Sequence, residues 1–336
     1  MKNINQYKKA ISNIFYVSRL TKTNRKKLII LVSVILSNLS AVMDILLILS
    51  FTALITSTSD YDGFTKYVVD LFVDFPFLLP LIVLIRFGCI YAQSILEKAL
   101  ILNVQQNLKL HVLEEVFDKR NYSVADAYFY INDITGHISF FYTALIGLLN
   151  SLIQTLGFLT YLILSDTRTI VTFGIGAIVL VYPSKYFVKK SREFMDKAYK
   201  IQKESNYEIQ KIVDNMFLIK LLKKDREEID NFQNVIIKLN SSLLNNHKYG
   251  AINSFLPSFV TMFVFAVLIG FFNFAKILTL DFIGVTLRLF QSIGLISSSI
   301  NKLVNSQVHI KYFYLMDTNK NMLNKENYKL EIAKKK

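Results

Sequence analysis

The sequence predicts an all-α polytopic membrane protein, with six transmembrane helices and long helical extensions on the cytoplasmic side. Three observations lead there. Hydrophobic residues make up 52% of the chain against 19% charged, and mean hydropathy is +0.36; the values fit together because charge is segregated from the apolar runs. Those runs exceed what a buried core helix needs and match the roughly 20 residues that cross a hydrocarbon core. Between two of them, residues 184–249 carry 14 Lys/Arg and 9 Asp/Glu with no Pro or Gly. Such a stretch favours a helix and is too charged to lie in a bilayer.

Taken in order, residues 2–27 hold eight basic side chains and no acidic one. Ile4, Tyr7, Ile11, Ile14, Phe15 and Ser18 recur at helical spacing, which predicts an amphipathic helix lying on an anionic leaflet. The apolar run that follows is far longer than a signal-peptide core. Spans are expected over about 28–56, 76–103, 138–164, 169–182, 252–274 and 282–304. A polar helical stretch at 104–119 and a turn-rich piece at 121–136 connect the second and third spans. A long helical hairpin over 184–249, turning near 214–220, connects the fourth and fifth. Pro183 and Pro257 sit near span ends, where a kink or stop is the ordinary reading. The chain thus divides into a basic N-terminal segment (1–27), a six-helix membrane domain (28–318) with cytoplasmic loops 104–137 and 184–250, and a basic tail (319–336).

An even number of spans puts both termini on one side. Eight Lys/Arg precede the first span, fourteen lie between the fourth and fifth, and eight follow from Lys302 onward. The opposite loops hold only Lys66, Arg168 and Lys276. Short loops so poor in positive charge face outward, so both termini are expected in the cytoplasm of a multi-pass protein of the cell (inner) membrane. The net charge of +14 then reflects topology, and no nucleic-acid partner is expected. Cys89 is the only cysteine, which excludes an intrachain disulfide and a Cys-based metal site. His111, His137, His247 and His309 are scattered without ligand-like spacing, so no metal is expected. No nucleophile comes with a plausible base, so the chain is not expected to be an enzyme by itself.

Three charges fall inside expected spans: Asp44, Arg86 and Arg288. Each lies about 12–16 Å from the outer end of its span at helical rise, so they can share one slab of the membrane. Each also lies on a polar stripe: Ser33, Ser37, Ser40 and Asp44; Arg86, Gln93 and Glu97; Arg288, Gln291, Ser292, Ser298, Ser299, Lys302 and Asn305. Asn150, Gln154 and Tyr161 add to these from the third span. In the plainer reading Asp44 neutralises one arginine and the serines allow close helix packing. In the functional one, Asp44, Arg86, Gln93, Arg288, Gln291 and Ser298 line a substrate pathway with surplus positive charge. That surplus suits an amphiphile with an anionic head, because the guanidinium fork donates two parallel hydrogen bonds to a phosphate or carboxylate.

Several stretches carry a family likeness. The helix over 103–118 leads to Asn121–Tyr122–Ser123 and Asn132–Asp133–Ile134–Thr135–Gly136. Later come Ile212–Val213–Asp214–Asn215–Met216, Leu218–Ile219–Lys220, Glu227–Glu228 and Phe232. Asp281–Phe282–Ile283–Gly284 opens a last helix that ends in Tyr312–Phe313–Tyr314–Leu315–Met316–Asp317. Over about residues 28–318 this resembles the transmembrane domain of six-helix ABC-type exporters (the type 1 family). The resemblance implies that Tyr122, Ile131 and Asp133 in the first cytoplasmic loop, and Asp214, Met216 and Lys220 in the second, touch an ATPase domain. It implies the membrane-spanning subunit of an exporter or flippase for an amphiphilic, anionic lipid, lipid-linked glycan or peptide.

The chain departs from the family by holding no Gly-x-x-x-x-Gly-Lys-Ser/Thr, the loop that cradles phosphates. ATP and Mg2+ would belong to a partner nucleotide-binding subunit, with no cofactor in this chain. A second copy or a related half-transporter, and membrane lipids, are the other expected partners. Two readings stand beside this one: a truncated or decayed half-transporter serving as a non-transporting membrane scaffold, and an ion-coupled carrier using Asp44 and Glu97. The carrier reading predicts a repeat between the halves of the chain, and no clear repeat is evident.

Overall fold

Little in the long runs forces the backbone out of a helix, and the chain stays helical through them. A computed structural model describes residues 12–56, 67, 70–72, 74–119, 124–165, 167–272 and 280–334. Residues 12–20 form α1. The helices α2 (Lys26–Thr56), α3 (Leu78–Lys119) and α4 (Val124–Tyr128) follow, then a π-helical turn, Phe129–Ile134, that leads into α5 (Thr135–Ser165). Next come α6 (Thr167–Asp214), the short α7 (Met216–Leu221), α8 (Asp225–Phe272) and α9 (Leu280–Lys334). No strand occurs among the described residues.

Among the described residues, four segments are long and apolar enough to cross a membrane: α2, α3, the run through α5, and the first part of α9. Their apolar side chains are mostly left uncovered by the protein, as spans that face lipid or another subunit require. The two remaining expected spans fall in the first part of α6 and the last part of α8, partly outside the described side chains.

Three expectations change. The piece at 121–136 is helical from Val124 onward. Phe129 and Ile134 are buried there, and the wider π turn brings Phe129, Tyr130 and Ile134 into the same core despite the polar Asn132 and Asp133 between them. Pro183 and Pro257 lie inside α6 and α8 and end neither helix. A proline removes one ladder bond, and both helices are held by packing along their length. The apolar face of α1 is applied to the protein itself: Val17 is buried in the main core, with Ile14, Tyr16 and Leu20 packed beside it, while Phe15 stays exposed. Ile4, Tyr7 and Ile11 of the same expected stripe lie outside the described residues.

The main core lies where the polar halves of the helices meet. Leu100, Val104, Leu108 and Val112 of α3, each fully buried, recur every four residues and make one continuous stripe. Against it pack Phe129, Ile134, Ile138 and Ile146, together with Tyr199 of α6 and Ile310 and Phe313 of α9. Burying each such side chain contributes about 1.5–3 kcal/mol. A second cluster joins Ala41, Phe158, Leu162, Phe282, Val285 and Leu289, binding α2, α5 and α9 within the apolar half.

The hairpin of α6 and α8 is pinned by polar contacts at its wide end. Asn246 Nδ2 donates to the Ser191 carbonyl at 2.7 Å and to its Oγ at 2.8 Å, and Tyr249 stacks on Phe194 at 5.7 Å. Near the narrow end Lys211 reaches Glu228 at 3.6 Å. The turn is a helix stop built from backbone: Lys224 N–H bonds the Ile219 carbonyl at 3.0 Å and Lys223 N–H that of Lys220 at 3.1 Å. This double bond pattern requires a left-handed residue, and Lys223 supplies it at φ 53°. Asp225, Glu227 and Glu228 in the first turn of α8 complement its N-terminal dipole.

Helices α8 and α9 approach closely at glycines. A Cβ on Gly294 would lie 2.6 Å from the Ser254 carbonyl oxygen, and one on Gly250 would lie 2.5 Å from Asn301 Nδ2. Small residues at helix crossings in membranes allow this backbone approach. Gly294→Ala is expected to destabilise the protein by about 1–3 kcal/mol through overpacking. Gly157→Ala, where a Cβ meets nothing within 4 Å, is expected to be neutral or stabilising. Thermal unfolding of the two variants in detergent checks the contrast.

Candidate functional site

Asp44 is the centre of a three-charge cluster drawn from three helices. It sits on α2, where the Ser33, Ser37, Ser40 stripe turns the same way into the bundle; all three serines are buried. Arg86 of α3 places Nε 2.5 Å from Asp44 Oδ1 and donates from Nη2 to Oδ2 at 3.2 Å. Arg288 of α9 lies on the other side, with Nη2 3.8 Å from Oδ2 and Nη1 donating to Gln291 Oε1 at 3.4 Å. Exposure rises outward: the Asp44 side chain is 15% exposed, Arg86 30% and Arg288 41%. The carboxylate is therefore sheltered, and the second guanidinium is the open end of the group. Two arginines against one aspartate leave one positive charge in surplus. The depth argument from sequence placed these three residues at one level, and the structure puts both arginines within ion-pair distance of Asp44.

Of the other residues read as a pathway, Gln291 joins the cluster through Arg288, while Gln93 and Ser298 are half-buried further along α3 and α9. The serine and threonine side chains mostly pack helices. Gln154 donates to Ser37 Oγ at 3.1 Å, and Thr155 shares a hydrogen bond with Ser292 at 2.7 Å. A Cβ on Gly147 would lie 3.0 Å from Ser299 Oγ. The plainer reading accounts for these contacts, and the surplus charge at Arg288 is what it leaves over.

The two long connections, between α3 and α5 and between α6 and α8, end in a second feature. At the tip of the hairpin α7 has no buried residue, and it presents Met216, Phe217, Leu218 and Leu221 outward, with Val213 and Leu222 beside them. Phe217 is 77% exposed. Asp214 and Lys220, also read as contact residues, are exposed within the same tip, and Asp214 accepts a hydrogen bond from Gln210 at 3.2 Å.

The first loop is strapped to the same arm. The Ala125 N–H donates to Gln210 Oε1 at 2.8 Å, which also satisfies one of the free amides at the start of α4. Lys203 pairs with Asp126 at 3.0 Å. Asn206 donates to Asp133 Oδ2 at 2.9 Å, so Asp133 serves as a strut towards α6, and Ile131 packs against the main core. Tyr122 lies outside the described residues. The outward groups of this loop are Val124 and Tyr128, both exposed, which sequence reasoning did not single out. Gln210 is one helical turn, ~6 Å, before Asp214, so the two loops end at nearly the same level.

Sequence spacing also hid two histidine pairings. His137 and His309 stack at 4.0 Å, nearly parallel at 6°. His111 converges with Glu115 and Asp317. The partners come from helices far apart in the chain, which local spacing cannot register.

Asp44→Asn is expected to lower stability by about 1–3 kcal/mol, less than for a fully buried pair because the arginines are partly exposed. Arg288→Gln is expected to cost under about 1 kcal/mol. Detergent unfolding midpoints of the two variants measure the difference. No protein-family model matches the chain, and no curated protein matches it.

Proposed function

We propose that this chain is the membrane-spanning half of an ATP-driven exporter or flippase, acting with nucleotide-binding domains outside these 336 residues. The observation that carries the reading is the bare apolar tip at residues 213–222, held on two 48-residue helices, α6 and α8. Each helix is about 72 Å long at 1.5 Å per residue. A soluble surface rarely leaves so many large apolar side chains together unless something covers them. The occupant is a globular ATPase domain, with α4 seated against it at the same level. Stiffness is the physical demand, because a flexible arm would dissipate the closing movement of that domain. Helices α6 and α8, which continue past Pro183 and Pro257, meet it.

In this proposal six spans cross the membrane, α2, α3, α5, the first part of α6, the last part of α8 and the first part of α9, with both termini cytoplasmic. Two such halves enclose the pathway. Arg288, with the open side of the Asp44–Arg86 pair, attracts the anionic head of an amphiphile such as a lipid phosphate or lipid-linked glycan. The ion-coupled carrier reading is weakened by the same geometry, since two guanidiniums engage the only carboxylate of that cluster.

Insertion of Gly-Gly after Asn215 is expected to abolish ATP-dependent transport while membrane insertion stays normal. Phe217→Glu is expected to reduce co-purification of the ATPase subunit at least tenfold, since burying an unpaired charge in an apolar contact costs well over 1.4 kcal/mol. Transport in proteoliposomes and pull-down from membranes read these out. Full transport by the insertion variant sinks the proposal.

A further inference from the structure

We propose that His111, Glu115 and Asp317 form a binding site for one divalent cation of borderline hardness, of which Zn2+ is the representative. The inference stands independently of the exporter reading. His111 and Glu115 are four residues apart on α3, which places them on one face of the helix. Asp317 comes from α9, whose Phe313 and Met316 belong to the same core cluster as Val112 of α3. One donor atom from each of the three side chains lies within 4.8 Å of the other two.

Charge and donor type point to a cation. Two carboxylates at that separation repel, and Asp317 is only 3% exposed, so water screens it poorly. A dication balances both. One imidazole nitrogen with two carboxylate oxygens is a donor set that zinc accepts, and three protein ligands leave a fourth position for water. Tetrahedral zinc holds its donors roughly 3.3 Å apart, so modest side-chain rotation closes the set. The three side chains also touch other protein groups, and coordination exchanges those contacts for metal bonds.

A supporting layer is already in place. The Tyr16 hydroxyl of α1 donates to Asp317 Oδ2, and the Tyr314 ring meets Tyr16 edge-on at 5.2 Å. Partners of this kind fix the orientation of a ligating carboxylate. A bound ion would therefore join the polar extension of α3 to α9 and, through Tyr16, to α1.

The test uses the full chain, purified without a histidine tag in detergent, stripped with a chelator and titrated calorimetrically with Zn2+, Mn2+ and Mg2+. One Zn2+ per chain is expected, bound in preference to Mg2+, with Co2+ giving visible absorption bands of nitrogen–oxygen coordination. His111→Gln, Glu115→Gln and Asp317→Asn are each expected to weaken Zn2+ binding by more than about 100-fold, and Tyr16→Phe by about 10- to 100-fold. Where Asp317→Asn fails to fold, the half-buried Glu115 and His111 variants carry the same reading, with gel-filtration elution as the check on folding. Absence of Zn2+ binding by the native chain, preference for Mg2+, or unchanged affinity in the folded variants overturns the site.

Discussion

The structure depends on helices that do not stop where their composition changes from apolar to charged. Helices α3, α6, α8 and α9 each pass from an apolar half into a charged half on one hydrogen-bonded ladder. In hydrocarbon that ladder is obligatory, because an unpaired backbone amide or carbonyl costs several kcal/mol there. In water it is optional, and the chain keeps it by placing the main core in the polar half, around Leu108, Phe129, Tyr199 and Phe313. Pro183 and Pro257 each remove a bond from the ladder without ending it. The apolar and polar halves are consequently one mechanical object.

Much of this was legible in the sequence because it depends on local quantities. Run length and charge segregation gave the helices, and the missing Gly and Pro over 184–249 gave the unbroken hairpin. The depth of Asp44, Arg86 and Arg288 could be counted from span ends, and that count sufficed to bring the three together. It did not say which arginine holds the carboxylate, since that depends on how α2, α3 and α9 rotate against each other. Asp133 shows the limit from the other side. Its place in the first loop suggested an outward contact, whereas Asn206, far along the chain, draws it inward.

The segment after Val124 was obscured for a different reason. Asn132, Asp133 and Gly136 have low helix propensity, and propensity is a weak prior once aromatic side chains find a core. Phe129, Tyr130 and Ile134 do so only through a π turn, whose register no period of 3.6 anticipates. The α1 helix was legible only in part. An amphipathic stripe states that a face will be covered, and it does not state whether lipid or protein covers it. Here Val17 and Tyr16 found α3 and α9.

The uncovered tip at Phe217 and Leu221 has a consequence for the life of the chain before assembly. Newly made copies carry that adhesive end from the moment the hairpin folds, and exposed apolar ends of this kind invite self-association. Copies in which the tip stays uncovered are the ones that aggregate through it. That liability sits in the same six residues that close the hairpin.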